Sequence, residues 1–580
     1  MRELAIVRRA VPADCGLSDA MHPVLRRVFA ARGVRHDADL DTTLEGLHRT
    51  ESLGGIEAAV TLLEAAVRED HAILIVADFD ADGATSCAVA MRALAAMGAT
   101  RVSYIVPNRF EYGYGLTPPI VELAAAREPR LLITVDNGIS SIEGVACARA
   151  AGIDVLITDH HLPGDRMPDA NAIVNPNVPG DRFPSKALAG VGVIFYVMLG
   201  LRRRLLDTGW FERRGIAQPN LAQLLDLVAL GTVADVVPLD QNNRRLVQQG
   251  LKRIRAGRSQ PGIAALLAIA GRDPQRVTAT DLGFAVGPRL NAAGRLADMS
   301  LGIECLLNDD PSQCERAAVK LDELNRQRRE IEGDMKHQAL ALVESMTFND
   351  EALPAGLCLH DETWHQGVVG IVASRIKERF HRPVIAFAPT DDGELKGSGR
   401  SVAGVHMRDA LDAIAARHPG LVSKFGGHAM AAGLTLEPAS IDVFAAAFDA
   451  EVRRQLGDDG LKPEIATDGE LLGDDFSLEL AELLAAAAPW GQQFPEPLFD
   501  GIFEVCDKRV VGETHIRLRL RPRATKREFP AIAFGAIDEA WVGEDGPIHA
   551  AYRLAVNDFR GTRSLQLIIE HAIPVAGHAG

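Results

Sequence analysis

The sequence contains no run of about 18 or more uninterrupted apolar residues, the length that a membrane-spanning helix needs. Its first stretch, MRELAIVRRAVPADCG, has no apolar segment long enough for a signal peptide, so a soluble chain of the cytoplasm is expected. The seven cysteines, at 15, 87, 147, 305, 314, 358 and 506, include no CxxC pair. That speaks against a disulfide framework and a thiolate zinc site and for reduced thiols, so any metal should be oxygen-bound. Positive charge is also short, with 62 Lys and Arg against 78 Asp and Glu and a formal net charge of -16, which taken as a total argues mildly against a nucleic-acid partner, since Lys and Arg make phosphate contacts. What remains is ordinary globular composition: 580 residues, 47% hydrophobic and 24% charged. That length is too great for one core and suggests roughly three or four domains.

Charge is distributed unevenly. The balance turns positive in LRRRLL (201–206), KRIRAGR (252–258) and HIRLRLRPRATKR (515–527). In the last, strict alternation predicts a strand with Arg517, Arg519 and Arg521 on one face and Leu518 and Leu520 on the other. An edge strand kept soluble by charge would look the same.

From about residue 72 the chain repeats a short β-rich run, a turn and a helical stretch: AILIV (72–76), RVSYIV (101–106), LLITV (131–135) and DVLIT (154–158). TSCAVAMRALAAMG and EGVACARAAG lie between them, each closed by glycine, so βαβ units and a parallel sheet are predicted. Ligands of such sheets collect at the carboxyl ends of the strands. ADFDADG, DNGIS and DHHLPG follow three of these strands, which brings Asp78, Asp80, Asp82, Asp136, Asp159, His160 and His161 to one edge. Each aspartate alone could be a helix cap or turn former. Together they would repel one another unless divalent cations neutralise them, and Asp with His favours Mn²⁺ or Mg²⁺.

An EF-hand loop starting at Asp78 would need Glu at its twelfth position, which is Val89, and a helix rather than AILIV before it. A haloacid-dehalogenase-type phosphatase, a weaker rival, wants Thr or Val where Asp82 stands.

In order, DFDADG, VDNGIS, TDHHLPG and ALGTVADVVPL resemble the four motifs of the DHH phosphoesterase superfamily, and KGSGRS and KFGGHAMAAG resemble its DHHA1 accessory domain. The fullest form of the match is the branch of single-strand-specific 5′ to 3′ DNA exonucleases. The resemblance implies two metal ions, Mn²⁺ or Mg²⁺, with Asp80 on one, Asp82 on the other, Asp136 bridging, and His160 and Asp235 completing the second site. His161 would contact the scissile phosphate. Where small-substrate branches carry a histidine ligand this chain has Val76, which makes Asp78 the candidate substitute. Two such cations would activate water and clamp a phosphodiester for in-line attack.

The same resemblance implies a DNA-binding set. Ser398 and Arg400 would hold a 5′-terminal phosphate with Arg109; Arg289 and Asn291 would hold the next phosphate, and Tyr114 would stack on a base. Gly426, Gly427 and His428 would bring backbone amides to phosphate, the plain alternative being a tight turn opening a helix. Implied partners are single-stranded DNA, a single-strand-binding protein and a RecQ-type helicase, in recombination and repair.

The expected architecture is α/β. An N-terminal segment (1–45) precedes a parallel-sheet DHH domain (46–310), a connecting helix (311–346) and a smaller α/β DHHA1 domain (347–457). The helix should open with a capping box, Ser312 and Glu315, and its length would set two lobes apart across a cleft. After residue 460 short strands dominate, and an oligonucleotide-binding (OB) β-barrel at 458–575 fits them.

Overall fold

The computed structural model describes residues 4–575 apart from 13, 14, 113, 348–352, 391, 458–460, 462, 524 and 560. The chain forms two units. One holds residues 6–294, 298–322 and 465–580, the other residues 1–5, 295–297 and 323–464.

The first unit is built on five parallel strands, β1 (Ile73–Ala77), β2 (Val102–Ile105), β3 (Leu131–Val135), β4 (Asp154–Thr158) and β5 (Ala172–Val174), in the order β2-β1-β3-β4-β5. Every residue of β1 and β3 is buried, as Ile/Leu/Val runs in a sheet covered on both faces must be. The edge strand β5 was not foreseen, because three residues carry no readable period. Helix α1 (Ala81–Ala96) starts four residues before the apolar stretch at Thr85. Asp80 caps it, its Oδ1 accepting from the amides of Asp82 at 2.9 Å and Gly83 at 3.0 Å. Helices α2 (Ile142–Ala150), α3 (Gly190–Asp207), α4 (Leu225–Ala234) and α5 (Gly287–Leu296) are among those that surround the sheet. Small residues on α1 let α3 and α4 pack closely against it.

Helix α6 (Pro311–Thr347) is the long connector. Its cap differs from the predicted one: Asp310 Oδ1 accepts the Ser312 N–H at 2.9 Å, so the start is fixed by an aspartate two residues upstream of Ser312.

The second unit carries a mixed sheet of β6 (Leu357–His360), β7 (Val384–Pro389), β8 (Leu395–Arg400), β9 (Lys424–Gly427) and β10 (Ala431–Leu436), in the order β9-β10-β8-β7-β6. Helix α7 (Val369–Phe380) joins the parallel pair β6 and β7. Phe387, Phe444 and Phe448 fill its core.

In the first unit, β11 (Phe499–Val511), β12 (His515–Pro522), β13 (Phe529–Ala533), β14 (Ile548–Phe559) and β15 (Thr562–Pro574) close into a barrel in the order β11-β12-β13-β15-β14. Only β13 and β15 pair in parallel. Along β12, Ile516, Leu518 and Leu520 are buried while Arg517 and Arg519 are exposed, the predicted alternation. The barrel is fastened to the rest of its unit by Arg276–Asp558 at 2.9 Å and by the buried pair Arg32–Asp468 at 2.7 Å. Among the described residues no helix is long and apolar enough to cross a membrane.

Candidate metal centre

The three acidic loops meet at the carboxyl ends of β1, β3 and β4. Ligand atoms of Asp78, Asp80 and Asp136 lie within 4.8 Å of one another, as do those of Asp82, His160 and Asp235, and those of Asp136, His160 and His161. Asp136 therefore belongs to two groups and His160 to two. Val76, in the all-buried β1, offers no donor, whereas buried Asp78 joins Asp80 and Asp136.

Local structure explains how these side chains are held. Asp136 leaves β3 with φ +63°, a left-handed conformation that aspartate tolerates better than most residues and that turns its carboxylate back over the sheet edge. Gly190, opening α3, sits against it: a Cβ there would stand 2.6 Å from Asp136 Oδ1. The same helix start grips Asp82, whose Oδ2 accepts from Gly190 N–H at 2.6 Å and Oδ1 from Val191 N–H at 2.9 Å. Asp235 is the C-cap of α4.

Asp159 organises the histidine pair. Its Oδ1 accepts from the amides of His160 at 2.7 Å and His161 at 3.1 Å and pairs with His161 Nδ1 at 2.7 Å, while its Oδ2 takes the Ile139 N–H at 2.9 Å. Asn177 and Asn175 donate to the His160 and His161 carbonyls at 2.6 and 2.9 Å. Neither asparagine was foreseen, although VNPN directly after an apolar run is a turn signal. The grip of Gly190 and Val191 on Asp82 was also missed; a pair of glycines before an apolar helix reads only as close packing.

Buried polar atoms here lack the partners that buried groups normally have. Asp136 Oδ1, His160 Nε2 and Asp235 Oδ2 have no hydrogen bond, though Asp136 and His160 approach to 3.1 Å and His160 and Asp235 to 3.4 Å. Burial first, then the neighbouring carboxylates, push Asp82 up to about 7 and Asp235 up to about 8, and hold Asp136 well above the ordinary carboxylate range. Burial lowers His160. Burial opposes the charge on His161 too, but the Asp159 carboxylate overcomes it and raises His161 to about 9. Orphaned donor atoms, mutual repulsion and an all-oxygen-and-imidazole set fit hard divalent cations of the Mg²⁺ or Mn²⁺ kind.

The other predicted residues are placed unevenly. Tyr114 lies beside the centre, its hydroxyl 3.4 Å from the Asp136 carbonyl oxygen and its ring edge-on to His161 and Phe79. Asn291 is half-buried, and its Oδ1 accepts the Ala81 N–H at 2.7 Å, bracing the DFDADG turn. Arg289 is likewise committed inside, to buried Asp322 at 2.8 Å and the Ala285 carbonyl at 2.6 Å. Arg109 stands in a short helix, and its side chain lies outside the described residues.

In the second unit, Arg400 donates to Ser398 Oγ at 2.9 Å. Gly370, in the first turn of α7, presses on both, since a Cβ there would stand 2.8 Å from Arg400 Nη2 and 2.9 Å from Ser398 Oγ. KFGGHAMAAG opens no helix. It is the hairpin of β9 and β10, with Gly426 opposite Gly433 and Gly433 opposite Ser398, and His428 is exposed.

On the barrel, Arg519 pairs with Glu528 at 3.0 Å, and Arg521 with Glu528 and Glu504 at 2.8 Å, so these two are partly neutralised. Arg517 instead faces Arg509 across the strands and has no acidic partner among the described residues.

Family models match in the order of the chain: residues 72–232 match the DHH family N-terminal domain, 350–454 the DHHA1 domain and 467–571 the RecJ OB domain. Fold and metal centre together define a protein of the DHH class. The chain is 54% identical to the single-stranded-DNA-specific exonuclease RecJ of Salmonella typhimurium over 570 residues, 98% of this chain and 99% of that one. It is 52% identical to the Escherichia coli protein of the same name, covering 99% of this chain and 100% of that one. The crystal structure of RecJ with Mn²⁺ from Thermus thermophilus superposes with a TM-score of 0.81 at 29% identity, covering 100% of this chain and 81% of that one. A Mg²⁺ complex from the same organism gives a TM-score of 0.73 at 29% identity, with coverage of 96% and 76%. The chain belongs to the RecJ family.

Because Asp159 holds both the loop amides and the His161 ring, Asp159→Asn should lower kcat by about 10- to 100-fold, the usual loss when a group orienting a metal-site ligand is removed. Steady-state rates with Mn²⁺ check this, and a variant within twofold of wild type would assign Asp159 to folding alone.

Proposed function

We propose that this chain is a metal-dependent exonuclease that degrades single-stranded DNA from its 5′ end to 5′-mononucleotides in recombination and repair. The observation that carries the reading is the set of three interlocking carboxylate and histidine groups at one sheet edge, in a chain more than half identical to RecJ proteins end to end. Asp78, Asp80 and Asp136 would hold one ion and Asp82, His160, Asp235 and Asp136 a second. Such ions supply Lewis acidity that activates water and neutralises the phosphodiester. The side chains do the rest. Asp136 sets the distance between the two groups, and His161, paired through Nδ1 with Asp159, would offer the scissile phosphate a hydrogen-bond donor. Tyr114 contributes an exposed ring beside it.

Polarity requires the chain end to be recognised. Ser398 and Arg400, pressed against the first turn of α7, combine a hydroxyl, a guanidinium and helix amides suited to a terminal phosphate. Gly426, Gly427 and His428 extend that surface along the neighbouring hairpin. Single-strand-binding protein and a RecQ-type helicase are partners that kinship alone supports.

Purified protein with Mn²⁺ is offered a 5′-labelled single strand, the matching duplex and a dinucleotide. Labelled mononucleotide from the single strand alone is expected; activity confined to the dinucleotide would sink the reading. On the barrel, Arg517→Ala is expected to weaken strand binding and reduce the slope of log affinity on log salt by about 0.7. Arg519→Ala, already paired to Glu528, should change it less. Titrations at several salt concentrations decide between them, and equal slopes would count against this ranking.

A further inference from the structure

Residues Leu282–Val286 form a π-helical turn in which the Gly287 N–H reaches back five residues to the Leu282 carbonyl. The cause is local. Pro288 has no N–H to offer the Phe284 carbonyl four residues before it, and its ring crowds that carbonyl, so the helix ladder widens by one residue. The widened turn is clamped: Arg289 Nη1 donates to the Ala285 carbonyl at 2.6 Å, while its Nε and Nη2 hold Asp322 at 2.9 and 2.8 Å, with both side chains buried. The outcome falls on one side chain. Leu282, Ala285 and Val286 stay buried, and Phe284 is turned out with 78% of its surface exposed.

This segment is also fastened to the metal centre. Gly283 and Gly287 lie against the end of α4, where a Cβ on either would stand 3.1 Å from Val233 and Ala234, the residues just before Asp235. Further along, Asn291 Oδ1 takes the Ala81 N–H, and Gly294 lies so close to the Phe79 carbonyl that a Cβ would fall 1.8 Å from its oxygen. The turn that presents Phe284 is thus tied to the loop of Asp235 and to the loop of Asp78, Asp80 and Asp82. Val236, beside Asp235, is exposed as well.

We infer that Phe284, displayed on the clamped π-turn beside the Asp235 end of α4, is a stacking platform for a nucleobase of the strand held at the metal centre. The inference rests on the exonuclease reading. A rigidly presented single ring matches a planar base, and stacking accepts every base, as an enzyme that must degrade any sequence requires. A single phenylalanine ring falls well short of the few hundred Å² of contiguous apolar surface that marks a protein-docking patch. Arg289, expected from the resemblance to hold a phosphate, holds this turn through Asp322 and the Ala285 carbonyl.

The test uses the full chain with Phe284→Ala and Phe284→Trp. Phe284→Ala should raise KM for a single strand by about tenfold, with the loss falling on KM rather than kcat. Its melting temperature should match wild type, since the ring is exposed. Phe284→Trp should restore KM, and in EDTA its added emission should be quenched by an oligo(dT) of about 15 nucleotides. One abasic nucleotide walked in from the 5′ end should weaken wild type at a position, other than that of a base on Tyr114, where Phe284→Ala loses the effect. Wild-type KM and an unchanged abasic profile in Phe284→Ala, or tryptophan emission blind to the strand, overturn this inference alone. A wild type inert towards single strands overturns the exonuclease reading and this inference with it.

Discussion

Asp136→Asn is expected to cut single-strand hydrolysis by about a thousandfold or more, equivalent to about 4 kcal/mol of barrier, while metal-free strand binding stays within about twofold. Asp136 has this weight because it is shared. It stands in one candidate metal group with Asp78 and Asp80 and in another with His160 and His161. Its neighbours leave it no alternative position: φ is +63°, Gly190 abuts its side chain, and its amide is bonded to the Thr158 carbonyl at 3.0 Å. An asparagine fits the same space but offers one oxygen and no charge, so it cannot serve both groups. Single-turnover rates with saturating Mn²⁺, paired with binding in EDTA, check the expectation. Turnover within tenfold of wild type would break the two-ion assignment.

The parts legible from sequence were those where local pattern and global geometry agree. Buried parallel strands give apolar runs, and each run ending in aspartate named a loop of the site, so β3 and β4 and their acidic loops were placed to the residue. β5 was invisible because three residues are too few for a period, although it borders the histidine loop and leads into Asn175 and Asn177. Side-chain partners were the other blind spot. Arg289 and Arg519 looked alike as charges; one is buried on Asp322 and the other lies exposed against Glu528. Nothing in the spacing of GPRLNAAGR tells an arginine that reaches phosphate from one that clamps its own helix, because the deciding partner, Asp322, is far along the chain. KFGGHAMAAG was misleading for a related reason: its glycines fit a helix-opening turn locally, and only pairing with β8 makes them strand residues.

Metal-free protein should lose thermal stability as pH rises from about 6.5 to 9, and Mn²⁺ should abolish the loss. The sign follows from the groups at the centre. Asp82 at about 7, Asp235 at about 8 and Asp136, raised further, all bind protons in the folded state that the unfolded chain has released above the ordinary carboxylate range. Raising pH from the ordinary carboxylate range up to these values therefore favours unfolding, so the loss within this window comes from Asp235, Asp136 and the last of Asp82. His161, raised to about 9 by Asp159, acts the same way, because its contribution is complete below the unfolded histidine value and is lost as pH passes the folded one. His160, lowered by burial, works in the opposite direction, but only below the ordinary histidine range, outside this window. A divalent cation replaces the missing protons with fixed charge, and at a hundred times its Kd it adds about 2.7 kcal/mol by mass action. The expected fall in melting temperature is several degrees. Asp136→Asn separates this cause from the general charge of the chain. With one fewer repelling carboxylate it should be more stable than wild type at high pH without metal, yet gain less from Mn²⁺. Melting curves for both proteins, with EDTA or Mn²⁺ at three pH values, test the argument. Parallel pH curves for the two proteins would locate the titration outside this site.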